Sequence, residues 1–229
     1  MPRKLIVEAI GTFFLVLTVG MVVLEPGAGA LAPLAIGSVL MVLVYAGGHI
    51  SGAHYNPAVT LAVMLRGKAT SVELAGYWAA QLLGAVLAAL VVGVFKDGAA
   101  PALAPIDQGM VALAEFLFTF ALAFVVLNVA TTRGTEGNSY YGLAIGFTVL
   151  AGAYAVGPVS GAAFNPAVAL GVTVLGLVDA TNLWVYIAAN LLGGAAAGAL
   201  FRALDLGADR PTTATAAQQA ALRQVGAPE

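Results

Sequence analysis

The chain contains no cysteine, two histidines and few charges, with Asp, Glu, Lys and Arg together making up 9% of its 229 residues. Without cysteine there is no disulfide, no thiolate metal site and no cysteine nucleophile. His49 and His54 have no carboxylate or thiol cluster beside them in sequence, so no metal site is expected. Nine basic against eleven acidic residues leave a net charge of -2, which offers nucleic acid no basic footprint. No nucleophile and base form a credible catalytic constellation, so neither an enzyme nor a cofactor is indicated. What fills the chain is apolar: 61% hydrophobic residues, 28 glycines and a mean hydropathy of +0.96. That balance belongs to an integral membrane protein.

Six apolar segments approach the roughly 20 residues needed to cross a bilayer as a helix. They run from Leu5 to Leu24, Ala32 to His49, Val72 to Phe95, Met110 to Ala130, Tyr140 to Gly157 and Leu183 to Leu204. Two further stretches, Pro57 to Leu65 and Pro166 to Leu175, are too short to cross alone. The opening MPRK, the apolar run behind it and the small residues Gly27 to Ala32 imitate a secretory signal. Glu8 interrupts that run and has a counterpart deep in the second half, which favours a retained span.

Basic residues set the orientation, because cytoplasmic loops carry an excess of Lys and Arg. With six alternating spans, Arg3, Lys4, Arg66, Lys68, Arg133, Arg202, Arg210 and Arg223 share one side and only Lys96 falls opposite. Both termini are therefore expected in the cytoplasm. Residues 1–204 read as a single membrane domain with repeat halves at about 1–98 and 108–204, and residues 205–229 as a mobile tail or a short surface helix.

The repeat is explicit. SGAHYNPAV, Ser51 to Val59, returns as SGAAFNPAV, Ser160 to Val168, with seven of nine positions identical. At the same offset of 109, Gly37 matches Gly146, Gly48 matches Gly157, Gln81 matches Asn190 and Gly84 matches Gly193. Close to it, the run from Glu8 to Phe13 matches Glu115 to Phe120. An odd number of spans per half inverts the second half relative to the first. The short segments after Pro57 and Pro166 then enter from opposite sides and meet near the midplane.

Each short segment opens with an Asn able to cap a helix and a Pro that fits its first turn. Two such starts face to face present unpaired N–H groups and positive dipole ends, which repel cations and orient a passing oxygen. Asn56 and Asn165 are the expected side-chain donors to a permeant. Irregular backbone at membrane depth lines protein or a wet cavity, so carbonyls of Gly52, Ala53, His54, Tyr55, Gly161, Ala163 and Phe164 are expected to form an acceptor rail. Glu8 and Glu115 face the interior and brace these loops through backbone N–H groups, with proton relay the competing reading. Gln81 and Asn190 read as hydrogen-bonding partners between helices. His49 reads as a packed structural residue, while His54 is divided between lining the path and packing. Gly194 and Gly198 read as a close helix contact.

These residues resemble the aquaporin and glycerol-facilitator family of major intrinsic proteins along nearly the whole chain. The resemblance rests on the doubled Asn56-Pro57-Ala58 and Asn165-Pro166-Ala167, the Ser-Gly before each, the paired glutamates and the run from Gly48 to Thr60. It implies six transmembrane helices plus two re-entrant half-helices around a pore in each protomer, and a homotetramer in membrane lipid. Family members usually carry Arg after the second triplet, as part of a narrow filter, whereas this chain has Val168. By the family's spacing the other filter positions fall on Ile36, Ala153 and Ala162, unless the fifth span is shifted by one residue to bring in Tyr154.

A filter of Ile, Ala, Ala and Val lacks the five donors and the fixed charge of a guanidinium. The resemblance then implies passage of water with glycerol-like polyols or neutral metalloids such as arsenous acid, including methylated arsenicals. It is similar in this to bacterial arsenic-associated members that lack the Arg, which implies a bacterial inner membrane. Ala169 and Tyr186 look more like a water-selective channel, which stays as an alternative. An ion-coupled transporter and a membrane scaffold are the readings from other classes.

Overall fold

The computed structural model describes residues 1–97 and 105–207, so residue 98 at the end of the first expected half and the tail beyond 207 lie outside the described residues. Eight helices follow in order: α1 (Pro2–Val23), α2 (Ala32–Ser51), α3 (Pro57–Leu65), α4 (Ser71–Phe95), α5 (Gln108–Thr131), α6 (Tyr141–Ser160), α7 (Pro166–Val174) and α8 (Leu183–Ala203). All but α3 and α7 are long and apolar enough to cross a membrane. Those two have nine residues each, about 14 Å at 1.5 Å per residue, under half of a hydrocarbon core.

Local chemistry sets the helix ends. Thr70 and Glu73 form a reciprocal capping box at the start of α4, and the Asp107 carboxylate accepts from the N–H groups of Gly109 and Met110 at the start of α5. α1 begins three residues before the expected Leu5, because Pro2 fits a first turn and Lys4 reaches Glu73 of α4 at 2.7 Å. α6 runs past Gly157 and through Pro158 to Ser160. It stops where α2 stops, at a glycine that takes the left-handed conformation: Gly52 at φ 89° and Gly161 at φ 79°.

The packing is a two-fold pattern. α1 lies on α4 as α5 lies on α8, while α3 packs against α8 and α7 against α4, so each half hands its short helix to the other. α2 crosses α6 where Gly37 meets Gly146, and a methyl group on Gly146 would sit 2.4 Å from the Gly37 carbonyl oxygen. A residue can touch its own repeat counterpart only near the axis that relates the halves. The same argument places α3 and α7 there, since their starts are joined as described below.

Lys96, the one basic residue expected on the side away from the termini, is buried. Its Nζ donates to the carbonyls of Leu24 at 2.8 Å and Pro26 at 2.5 Å, at and just beyond the end of α1. It serves as a cap for otherwise unpaired helix-end carbonyls rather than as a loop charge. Outward, α4 shows a stripe of Leu83, Leu87, Leu90 and Val94, the spacing of one helix face, which suits acyl chains.

Candidate functional site

The two short helices meet start to start. Asn56 Oδ1 accepts from the N–H of Ala58 at 2.8 Å and Val59 at 3.4 Å, and Asn165 Oδ1 accepts from Ala167 at 2.9 Å and Val168 at 3.4 Å. Each proline behind them removes an N–H that a first turn leaves unpaired anyway. The side-chain nitrogens then cross between the halves. Asn56 Nδ2 donates to the Phe164 carbonyl at 2.9 Å, and Asn165 Nδ2 donates to the Tyr55 carbonyl at 2.8 Å.

This exchange departs from the expected rail. The last carbonyl of each loop, on Tyr55 and Phe164, is taken by the opposite asparagine. Phe164 itself is buried and stacked on Phe118 at 5.3 Å. The loops reach this geometry through left-handed residues that are not glycine: Ala53 (φ 51°), Tyr55 (50°), Ala162 (56°) and Phe164 (47°). That conformation costs about 1–2 kcal/mol for each such residue, so something must hold it.

Glu8 and Glu115 supply the hold. Both are wholly buried. Glu8 Oε1 accepts from the Ser51 hydroxyl at 2.7 Å and the His54 N–H at 2.9 Å, and Oε2 from the Tyr55 N–H at 2.7 Å and Gln81 Nε2 at 2.8 Å. Glu115 takes the Ser160 hydroxyl at 2.7 Å and the N–H groups of Ala163 at 3.0 Å and Phe164 at 2.7 Å. Tyr77 and Tyr186, another pair 109 residues apart, donate to the carbonyls of Ser51 and Ser160. Gln81 links α1 to α3 through Glu8 and Thr60, and Asn190 accepts from Thr119 of α5.

A cavity of about 320 Å³ runs along this junction. Its walls include Asn56 and Asn165, all four expected filter residues Ile36, Ala153, Ala162 and Val168, and five of the expected loop residues, Ala53, His54, Tyr55, Gly161 and Ala163. Pro57, Ala58, Pro166 and Ala167 are buried behind it as helix starts, with Gly194 of α8 packed so closely that a methyl group there would lie 2.4 Å from the Ala58 carbonyl. Tyr154 is turned outward, half exposed, with its hydroxyl donating to the Ala30 carbonyl at 3.0 Å, so Ala153, not Tyr154, faces the cavity.

A second cavity of about 670 Å³ opens on the face that carries the start of α1 and the end of α3. Gly52 lines this one, not the first. So does His49, which is exposed rather than packed: it sits in the last turn of α2, two residues from both Gly47 and Ser51 and so about 200° around the helix from the buried face. His54 lines both cavities.

Sequence reasoning missed most of the apolar wall. Leu15, Val19 and Leu40 repeat as Leu122, Val126 and Val149 at the two repeat offsets, and all six line the first cavity. The repeat could have nominated them. Asp179 and Asn182, which also line it, carry no such signal, since they sit in a connection between helices. The Thr181 hydroxyl and N–H both donate to Asp179 and hold its carboxyl below the usual range.

A family model described as Major intrinsic protein matches residues 1–202. The rice (Oryza sativa subsp. japonica) protein Aquaporin NIP1-1 is 39% identical over 211 residues, covering 86% of this chain and 72% of the relative. Nodulin-26 of Glycine max is 36% identical over 227 residues, covering 93% and 81%. Among solved structures, the aquaglyceroporin from Plasmodium falciparum matches with a TM-score of 0.74 and 23% identity, over 87% of this chain and 95% of that one, a likeness of fold.

Proposed function

The chain belongs to the major intrinsic protein family of membrane channels, and on that premise we propose that it passively conducts small uncharged solutes together with water. The permeants are glycerol-like polyols and neutral metalloid hydroxides such as arsenous acid, with methylated arsenicals in the same size class. One observation carries this reading: Ile36, Ala153, Ala162 and Val168 line the cavity, and none of them carries a charge or an aromatic ring. Apolar walls leave room for solutes larger than water and impose no fixed donor geometry.

Polarity comes from the junction. An amide nitrogen carries two hydrogens, so each asparagine keeps one N–H for a permeant after donating the other across the junction. The facing starts of α3 and α7 add positive dipole ends that disfavour cations. Glu8 and Glu115 already accept several donors each, which supports bracing over proton relay and leaves ion coupling without an obvious carrier. Basic residues Lys4, Lys68 and Arg133 around the second cavity support a cytoplasmic location for that face and the N-terminus. We further propose residues 1–204 as one channel domain, assembled as a homotetramer.

The test is osmotic swelling of proteoliposomes against a panel of glycerol, arsenous acid, methylated arsenicals and salts, with a pH dye inside. Flux of the neutral solutes without salt flux supports the reading. Swelling that follows water alone would leave the water-selective alternative.

A further inference from the structure

We propose that solute size is selected not at the outer filter but at an inner ring of His54, Val126 and Ile145; this rests on the pore reading above. Among the described residues, those three are the ones that line both cavities, so they form the partition between them. They come from the loop before α3, from α5 and from α6.

The inverted repeat explains why the partition falls there. Positions on the outer side within the repeated helices and loops have images on the inner side, at an offset of 109, or 107 for α1 and α5. Ile36 maps onto Ile145, Val19 onto Val126, Ala162 onto Ala53 and Val168 onto Val59, each pair the same residue. Ala163 outside becomes His54 inside, and Ala153 outside becomes Val44, which lines the second cavity. Away from the ring the trend reverses, since Leu40 maps onto Val149 and Val23 onto Ala130. At the ring itself two residues are unchanged and the third grows from Ala163 to His54, so with backbones related by the two-fold the inner ring is narrower than its outer image.

His54 is also fixed. Its Nδ1 lies 3.1 Å from Thr60 Oγ1, and its ring meets Tyr77 edge-on at 5.1 Å. Thr60 is itself tied to the Asn56 carbonyl and to Gln81. The second half has Ala169 and Ala163 at the positions of Thr60 and His54, so no imidazole is held there. Val126 and Ile145 are buried and line the same two cavities with aliphatic side chains. The ring therefore offers one polar side and two apolar ones.

Mirror-image substitutions test it. Val126→Ala with Ile145→Ala enlarges the inner ring, and Val19→Ala with Ile36→Ala makes the same change at the outer image. In proteoliposomes, stopped-flow light scattering would give the erythritol to glycerol flux ratio. The inner pair should raise it about tenfold, a methylene-scale discrimination, and the outer pair should raise it by much less. A ratio raised as much or more by the outer pair would overturn the proposal. If the wild type passes only water, the wide-filter reading fails on its own, and the ring is judged by which pair raises water permeability. Should the inner pair not fold, Val126→Phe reverses the test: a fall in glycerol flux larger than that of Val19→Phe supports the ring, and an equal or smaller fall rejects it.

Discussion

Asn56 of one half donates to the Phe164 carbonyl of the other across 2.9 Å, and the Asn165 to Tyr55 bond is its repeat image. The same side chains cap α3 and α7. Losing a cap costs about 0.5–2 kcal/mol, and leaving a buried carbonyl unpaired adds about 1–3 kcal/mol. Asn56→Ala or Asn165→Ala should therefore each lower stability by a few kcal/mol. Because both bonds tie one junction, the double variant should lose less than the two single losses combined. Unfolding in detergent, followed by tryptophan fluorescence, measures this; strict additivity would mean the two bonds act independently.

Glu8 holds four donors, three of which belong to the strained loop from Ser51 to Tyr55. In Glu8→Gln, one oxygen becomes an NH₂ group that must face either Ser51 and His54 or Tyr55 and Gln81. A buried N–H is then orphaned, at about 1–3 kcal/mol. Melting temperature and water permeability should both fall. A variant with normal melting and flux would show that the carboxylate does not shape the loop. Glu115→Gln should repeat the effect on the other loop.

Much of the fold is legible because its punctuation is local. Asn-Pro marks the start of each short helix, and both starts fall at Pro57 and Pro166 as the sequence predicts. Gly52 and Gly161 mark the ends of α2 and α6 better than Pro158 does, since only the glycines need a left-handed residue. The glutamates are legible as a repeated charge that a membrane interior cannot tolerate unpaired. The crossed asparagine bonds are not, because they join residues over a hundred positions apart whose caps alone account for their identity. The position of His49 is missed for the opposite reason: its place on α2, about 200° around from Gly47 and Ser51, decides between core and cavity, and residue type alone does not reveal it.

Ala153 lines the cavity and Tyr154 points away from it, a register that spacing left open and that flux can check. Tyr154→Phe removes a hydroxyl that bonds Ala30 at an exposed position, so flux should stay within about twofold of wild type, as for a surface substitution. Ala153→Phe puts a ring into the cavity wall and should block glycerol. If Tyr154→Phe changes solute selection and Ala153→Phe does not, α6 is rotated relative to the structure.

Val168 stands in the first turn of α7, buried in the wall of the first cavity, with its N–H tied to Asn165. Val168→Arg would add up to five donors and a fixed charge to the apolar stretch of wall proposed as the filter. A guanidinium can hydrogen-bond a single water as it passes, but its bulk also closes the space a polyol needs. Glycerol flux should therefore fall on the order of tenfold, and water flux by much less. Val168→Leu adds volume without charge and separates the two effects. If it matches Val168→Arg for every permeant, bulk alone selects at this position. If only the Arg variant divides water from glycerol, charge and donors do, and their absence explains the breadth proposed for the native pore.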